Sequence, residues 1–234
     1  MTNTETCQLC KATGELKLSH ITSKFMWRLS GLIGHNKKFE AICVNKPDQT
    51  KKHQQDGFKE YLLCSGCEGR RSTYEDVARR SLYSGIRNHS YISNCAVVTG
   101  LDYKSIKLYS MYQIWMMGVS KDPYYSNVNL GLHKNLLADC LLRDDPLEPW
   151  QYGTTVAVLG GNDSRYSGIF SQPDRTRKHQ LNVYRYVVAG LHHFHYITNQ
   201  KPHWGIQHLF LQKNGRMPIV KRELADYPHL TQNF

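Results

Sequence analysis

Two closely spaced cysteine pairs constrain this chain more than any other feature of its sequence. Cys7 and Cys10 form the first pair, Cys64 and Cys67 form the second, and both have the spacing Cys-x-x-Cys. Tetrahedral zinc is often held by four thiolates, and each such pair presents two of them on one side. The sequence therefore predicts one structural Zn²⁺ site that joins two distant segments. A predicted strand over residues 16–21, which carries His20, lies between the pairs.

Length and composition predict an ordinary globular protein. The chain has 234 residues, of which 40% are hydrophobic, and this is enough to bury a core as one large domain or two small ones. No run approaches the roughly 18 apolar residues of a membrane helix, and the polar start does not resemble a signal peptide. Cys43, Cys95 and Cys140 are scattered outside the two pairs, which favours a reducing compartment. We therefore expect a cytoplasmic protein.

The net charge indicates a polyanionic partner. The chain carries 30 basic and 19 acidic residues, a formal net charge of +11. A basic surface attracts polyanions, of which nucleic acid is the commonest. The alternative is a basic soluble protein with no such partner. Basic residues are spread along both halves of the chain, so charge alone indicates no binding face.

Local patterns predict helices in the first and middle thirds of the chain. Ser72 and Glu75 have the spacing of a capping box, which predicts a helix from there to about residue 82. Apolar periodicity predicts a buried helix over residues 103–118 and a second helix over residues 128–142. Residues 35–56 are polar and predict an exposed loop between the two cysteine pairs.

The last third predicts β-structure. Residues 154–159 form a short predicted strand and residues 183–198 a long one. Asn214-Gly215 predicts a hairpin between residues 209–213 and 217–221, and Pro218 would put the second of these strands at a sheet edge. His193 and His195 would share one face of the long strand, where such a pair could hold a transition metal. The alternative is a solvated or phosphate-facing sheet surface.

Specific motifs around the cysteine pairs resemble the HNH-type endonucleases, which are built on a treble-clef (ββα-metal) fold. The motifs are Cys7-x-x-Cys10, Ser19-His20-Ile21 and Leu62-Leu63-Cys64-x-x-Cys67-Glu68. The resemblance implies an α+β chain that begins with a zinc-bound, HNH-like module over residues 1–85. A helical middle segment and a β-rich C-terminal part, together residues 86–234, would follow it with no assigned role.

The resemblance also implies roles for individual residues. In this family a histidine at the end of the first strand activates a water, and a divalent cation stabilises the phosphoryl oxygens. By position His20 is the base, and Mg²⁺ or Mn²⁺ would lie near Ser19 and Glu68. Glu68 offers a carboxylate to a hard cation, whereas Ser19 does not. Other acids in this region could complete the site, namely Asp56, Glu60 and Glu75.

Basic residues beside these motifs predict phosphate contacts. Lys24 and Arg28 follow the candidate base, and Arg70 and Arg71 follow Glu68. The resemblance thus implies a metal-dependent endonuclease acting on DNA in restriction or antiphage (antiviral) defence, with a partner protein or a second copy of the chain. The alternative is a catalytically silent, zinc-bound nucleic-acid-binding or adaptor protein, which the serine at position 19 favours.

Overall fold

Helices and strands of both kinds build the protein, as the α+β prediction expected. The computed structural model describes residues 4–29, 57–88, 94–160, 170–178, 181–201 and 205–226. The predicted loop over residues 35–56 lies outside the described residues, and so does Cys43. No helix in these ranges combines the length and the apolar character needed to span a membrane.

The N-terminal part is a small antiparallel sheet followed by a helix. Its strands are β1 (Thr4–Thr6), β2 (Thr13–His20) and β3 (Lys59–Cys64), in the order β1-β2-β3. The short helix α1 (Lys24–Leu29) follows β2. The pairing of β2 with β3 shifts register between Lys17 and Leu18. The extra residue, Leu62, lies in β3, and because a bulge of this kind changes the alternation of side chains, Leu62 and Leu63 are both buried. On β2, Leu16 and Ser19 are buried while Leu18 is exposed.

The helix after the second cysteine pair begins earlier than the capping-box pattern predicts. Helix α2 (Ser65–Ala78) starts directly after Cys64. It continues through a π-helical segment (Arg79–Tyr83) into α3 (Ser84–Asn88). Ser72 and Glu75 therefore lie inside α2, and the prediction that they start a helix is wrong. The chain turns from strand to helix at the second cysteine pair instead.

The middle of the chain contains two further helices. Helix α4 (Tyr103–Val119) confirms the predicted buried helix, and the Asp102 carboxylate caps it by accepting a hydrogen bond from the Ser105 N–H at 2.7 Å. The predicted helix over residues 128–142 is only partly correct. Residues Pro123–Tyr125 form a 3₁₀ turn, and α5 (His133–Leu142) begins after Gly131, whose positive φ of 54° interrupts any earlier helix.

A six-stranded sheet occupies the C-terminal part. Its strands are β4 (Cys95–Val98), β5 (Thr154–Leu159), β6 (Asp174–Lys178), β7 (Leu181–Val188), β8 (Leu191–Ile197) and β9 (Met217–Arg222). Their order is β4-β9-β5-β8-β7-β6, and β5 and β9 are parallel while the other pairs are antiparallel. Strand β5 has the bounds that the sequence predicts.

Two strand predictions in this sheet are wrong. The single long strand over residues 183–198 is a hairpin, because Ala189 and Gly190 both have positive φ and reverse the chain between β7 and β8. Asn214-Gly215 does lie in a tight turn, closed by a 2.8 Å hydrogen bond from the Gln212 N–H to the Arg216 carbonyl. However, the strand predicted over residues 209–213 is absent. Leu209 ends a 3₁₀ segment (Gly205–Leu209), and the residues from there to the turn are irregular.

The edge position predicted for Pro218 is also wrong. Strand β9 lies inside the sheet, between β4 and β5, and Pro218 pairs with Val97 of β4. The prediction used the missing N–H of proline, which disfavours an inner strand. Pro218 is the second residue of β9, and the pairing of β9 with β5 begins only at the next residue, Ile219.

One apolar cluster connects the two regions that the sequence separates at residue 85. It includes Trp27 from the N-terminal part together with residues of α4, β5 and β9. The ring of Trp27 stacks on Phe170, with centroids 4.3 Å apart and planes 7° from parallel. The division into residues 1–85 and 86–234 stays a prediction about folding units, and the two regions share a core.

A buried lysine attaches α4 to the segment before β5. Lys107 is 3% exposed, and its ammonium group donates to the carbonyl oxygens of Pro149, Gln151 and Tyr152 at 2.5–3.2 Å. Burial lowers the pKa of Lys107 to about 7. The three acceptors act in the opposite direction, because only the charged form has three N–H donors to match them.

Replacing Lys107 with methionine should destabilise the fold. Lys107→Met keeps the apolar stem but leaves three buried carbonyls without their donor, so we expect the free energy of unfolding to fall by about 3 kcal/mol. Urea denaturation measures this change. Lys104→Met, on an exposed position of the same helix, is the matched control and should stay within about 0.5 kcal/mol of wild type. Equal effects of the two substitutions would contradict the role given to Lys107.

Candidate metal centre and the adjoining polar network

The two cysteine pairs meet at the junction of the small sheet and α2. Cys7 and Cys10 come from the turn between β1 and β2, Cys64 ends β3, and Cys67 lies in the first turn of α2. All four sulfur atoms lie within 4.8 Å of one another. The Sγ atoms of Cys10 and Cys64 are 3.7 Å apart, close to the roughly 3.8 Å edge of a tetrahedron with Zn–S bonds of about 2.3 Å.

Backbone hydrogen bonds favour the thiolate form of one of these residues, Cys7. The Cys64 N–H points at the Sγ of Cys7 at 3.4 Å. Burial by itself raises the pKa of the Cys7 thiol, but hydrogen bonds from the backbone of Cys64, Cys10 and Leu9 outweigh it and lower that pKa to about 7. Burial raises the pKa of Cys67 instead. A bound cation would stabilise all four thiolates together.

The four cysteines can therefore hold a metal ion such as zinc. They form the only group of three or more histidine, cysteine or acidic residues with suitable spacing within the described ranges. Cys95 and Cys140 are not part of it. The donor set is all sulfur and closed, with no ligand position left for water or substrate, which is typical of structural zinc and not of catalytic zinc.

Directly beside this centre, Ser19 and Glu68 are in contact. The hydroxyl of Ser19, which is 1% exposed, donates to Oε2 of Glu68 at 2.7 Å. Ser19 is the inward-facing residue next to the end of β2, and Glu68 lies in the first turn of α2. The structure thus brings together the two positions at which the resemblance puts a divalent cation.

A buried arginine takes part in the same contact. Arg71 is 2% exposed, and its guanidinium lies 3.2 Å from Oε1 of Glu68 and 3.4 Å from Oε2 of Glu75. Its Nε and second terminal nitrogen have no hydrogen-bond partner. Arg71 therefore acts as the counter-ion of two carboxylates, and burial removes it from the surface where a phosphate contact was predicted.

The network continues from Glu75 into the middle of the protein. Burial raises the pKa of Glu75, whereas the charge of Arg71 and a hydrogen bond with Ser23 lower it, and the net direction is upward. The Gln113 amide, on α4, donates to the Ser23 hydroxyl at 2.8 Å. A continuous series of polar contacts thus links β2, α2 and α4.

The remaining predicted acids are placed elsewhere. The Glu60 carboxylate accepts a hydrogen bond from the Ser120 hydroxyl and from the N–H groups of Lys121 and Asp122 at 3.0–3.1 Å. It therefore attaches β3 to the end of α4 and is not a free cation ligand. Asp56 lies outside the described residues.

The candidate base His20 is the last residue of β2 and pairs with Lys59 of β3. Side chains alternate along a strand, so His20 shares the outer face of the β2–β3 hairpin with Leu18, opposite to Ser19. Of the predicted phosphate contacts, Arg28 is exposed and Lys24 is half-buried. Arg70 is partly exposed and donates to the Leu142 carbonyl at 2.8 Å.

The three histidines of β8 are all buried, which rules out the solvated sheet surface considered from the sequence. The Nδ1 atom of His195 lies 3.1 Å from the Thr154 hydroxyl, and its Nε2 atom lies 3.1 Å from the Tyr186 hydroxyl. Burial lowers the pKa of His193 to about 3, and it lowers that of His195 well below the usual value. His193 and His195 are therefore neutral members of the core. No metal-binding group within the described ranges includes any of the three histidines.

The ion pairs of Arg71 with Glu68 and Glu75 were not predicted from the sequence. Their signal was present, because Glu68, Arg71 and Glu75 follow one another at helical spacings of three and four residues. The capping-box reading started the helix after Arg71 and therefore hid this pattern. Ser23 and Gln113 gave no such signal, since ninety residues separate them.

Comparison with protein-family models, with curated proteins and with solved structures gave no match.

Removing one cysteine of the centre should abolish metal binding. We expect one zinc per wild-type chain by elemental analysis, and both a loss of that zinc and a lower melting temperature in Cys64→Ser, because three thiolates no longer close the tetrahedron. Cys95→Ser, at an exposed cysteine outside the centre, should keep the metal. Wild-type protein that carries no metal and is insensitive to a chelator would contradict the assignment.

Arg71→Met should destabilise the protein in a pH-dependent way. It leaves two partly buried carboxylates without their counter-ion, at a cost of about 3 kcal/mol near pH 8. Without the guanidinium the pKa of Glu75 rises further, so the folded state binds a proton more tightly than the unfolded state. The deficit relative to wild type should therefore shrink as the pH falls from 8 to 5, as chemical denaturation at each pH would measure.

Arg79→Met is the matched control for that substitution. Its ion pair with Asp76 lies at the junction of α2 and the π-helical segment. This pair is exposed, with side chains 49% and 60% accessible, so we expect the free energy of unfolding to change by no more than about 0.5 kcal/mol. A deficit in Arg71→Met that is independent of pH would contradict the ion-pair role.

Proposed function

We propose that this chain is a zinc-stabilised nucleic-acid-binding protein whose HNH-like framework no longer carries a nuclease cation site. The observation that carries the proposal is the position of Arg71. Its guanidinium contacts Glu68 at 3.2 Å, at the place where the resemblance puts a divalent cation.

The arrangement of elements supports the HNH-like, treble-clef framework. The turn that carries Cys7 and Cys10 is followed by β2, which pairs with β3 after the intervening helix α1. The second cysteine pair lies where β3 ends and α2 begins. This order is what the motifs Ser19-His20-Ile21 and Cys64-x-x-Cys67-Glu68 imply. The framework would hold its Zn²⁺ through Cys7, Cys10, Cys64 and Cys67.

The chemistry of the contacts argues against a second, catalytic cation. Mg²⁺ and Mn²⁺ need several oxygen ligands in near-octahedral geometry. Here one oxygen of Glu68 accepts from Ser19 and the other faces Arg71. The carboxylate of Glu60 is also occupied, by backbone N–H groups. A guanidinium already supplies the positive charge that these acids require.

The charge of the chain supports nucleic acid as the partner. A net charge of +11 would favour a polyanion over a neutral or acidic protein partner. The exposed Arg28 and the partly exposed Arg70 lie on helices next to the hairpin. DNA is the nucleic acid that the resemblance implies.

The second candidate is the metal-dependent HNH-type endonuclease, in restriction or antiphage defence. One observation favours it, which is that the hydroxyl of Ser19, the residue before His20 in sequence, lies 2.7 Å from Oε2 of Glu68. In that case His20 would be the general base, and Mg²⁺ or Mn²⁺ would replace Arg71 as the partner of Glu68.

Binding and cleavage assays on the same preparations separate these candidates. We expect wild type and His20→Ala to bind labelled DNA equally, with affinity that falls steeply as salt rises, and neither to cut plasmid DNA with Mg²⁺ or Mn²⁺. Cleavage by wild type that is lost only in His20→Ala would establish the endonuclease instead. Absence of binding at low salt would contradict the proposed function altogether.

A further inference from the structure

The outer face of the β2–β3 hairpin carries an exposed apolar pair. Leu18 is 50% exposed and Tyr61 is 46% exposed, and the two are direct cross-strand partners. Within the described ranges only three other large hydrophobic residues are exposed, and all three lie on or beside α5. Adjacent exposed apolar side chains rimmed by polar residues can mark an interaction site.

The register of the hairpin determines what surrounds this pair. The next pair on the same face is His20 with Lys59, and Lys17 precedes Leu18 with a side chain that is 47% exposed. The ammonium group of Lys17 is paired with the Glu15 carboxylate at 3.0 Å. The Tyr61 ring therefore shares its face with Leu18, His20 and Lys59.

We infer that this face binds an unpaired stretch of nucleic acid, with a base stacked on Tyr61 and a backbone phosphate beside Lys59. An aromatic face next to a cationic side chain is the combination with which proteins hold single strands, because every base has a π-face that can stack. The flat ring and the neighbouring positive charge fit a nucleobase and its phosphate together. An apolar protein partner would not use Lys59, and paired bases would not expose their faces.

This inference rests on the proposed function and specifies the substrate class. The closed set of four thiolates contributes indirectly, since it fixes the end of β3 and with it the register that pairs Tyr61 with Leu18.

The test measures binding of labelled oligo(dT) and of a duplex of equal length by fluorescence anisotropy over a range of salt concentrations. We expect preference for the single strand, about tenfold weaker single-strand binding in Tyr61→Ala, and near wild-type binding in Tyr61→Phe, which keeps the ring. The salt dependence should be unchanged in Tyr61→Ala but reduced by about 0.7 in slope in Lys59→Met, which loses a phosphate contact.

Two further variants sharpen the test. Tyr61→Trp should show quenching of tryptophan fluorescence when oligo(dT) binds, relative to wild type. Leu132→Ala, at an exposed leucine just before α5 that is 85% accessible, is the control for loss of exposed apolar surface and should bind as wild type does.

Each result distinguishes this inference from the proposed function. DNA binding with equal affinity in wild type and folded Tyr61→Ala would overturn the inference and leave the proposed function standing. Conversion of a dimer to a monomer by Tyr61→Ala, measured by sedimentation, would overturn it in favour of an interface between two copies. No binding to either nucleic acid by any variant would overturn both proposals.

Discussion

Four cysteine sulfurs, contributed by two segments more than fifty residues apart in sequence, set the position of everything in the N-terminal part of this protein. Closing so long a loop costs entropy, although the cost grows only slowly with length. A structural zinc ion, whose binding free energy is roughly 10–16 kcal/mol in small peptides, would outweigh that cost. Because Cys64 ends β3 and Cys67 lies in the first turn of α2, the centre also fixes where the strand stops and the helix starts. The register of the hairpin, and therefore which side chains face inward, depends on that junction.

The polar network next to the centre transmits this constraint to the rest of the fold. Ser19, Glu68 and Arg71 are in contact because the hairpin and α2 are held together at their common end. The contacts continue through Glu75 and Ser23 to Gln113 on α4. A buried network of this kind is costly if incomplete and selective if complete, since few alternative packings satisfy every member. In the function we propose, this network takes the place that a catalytic cation would need.

Some elements follow directly from local sequence and others do not. Residues 154–159 are rich in β-branched residues, and they form the predicted strand. Helix α4 was predictable because its apolar residues fill a buried helix and Asp102 caps it. The hairpin between β7 and β8 was missed because Ala189 gives no turn signal, and its positive φ is imposed by the pairing of the two strands. Pro218 suggested an edge, but the parallel pairing of β9 with β5 places that strand inside the sheet.

The sequence by itself determined which four cysteines could hold a metal ion, the net charge and the α+β composition, since ligand spacing, charge and residue periodicity are local properties of a chain. Tertiary structure alone decided what the candidate residues near that centre can do. Glu68 and Arg71 are equally plausible from the sequence as a cation ligand and a phosphate contact, yet they form an ion pair once the hairpin buries Arg71 to 2% exposure. Tyr61, to which no local pattern assigns a role, is exposed because it lies with Leu18 on the outer face of the paired strands β2 and β3. Burial and cross-strand partners depend on residues distant in the chain, and no local pattern contains them.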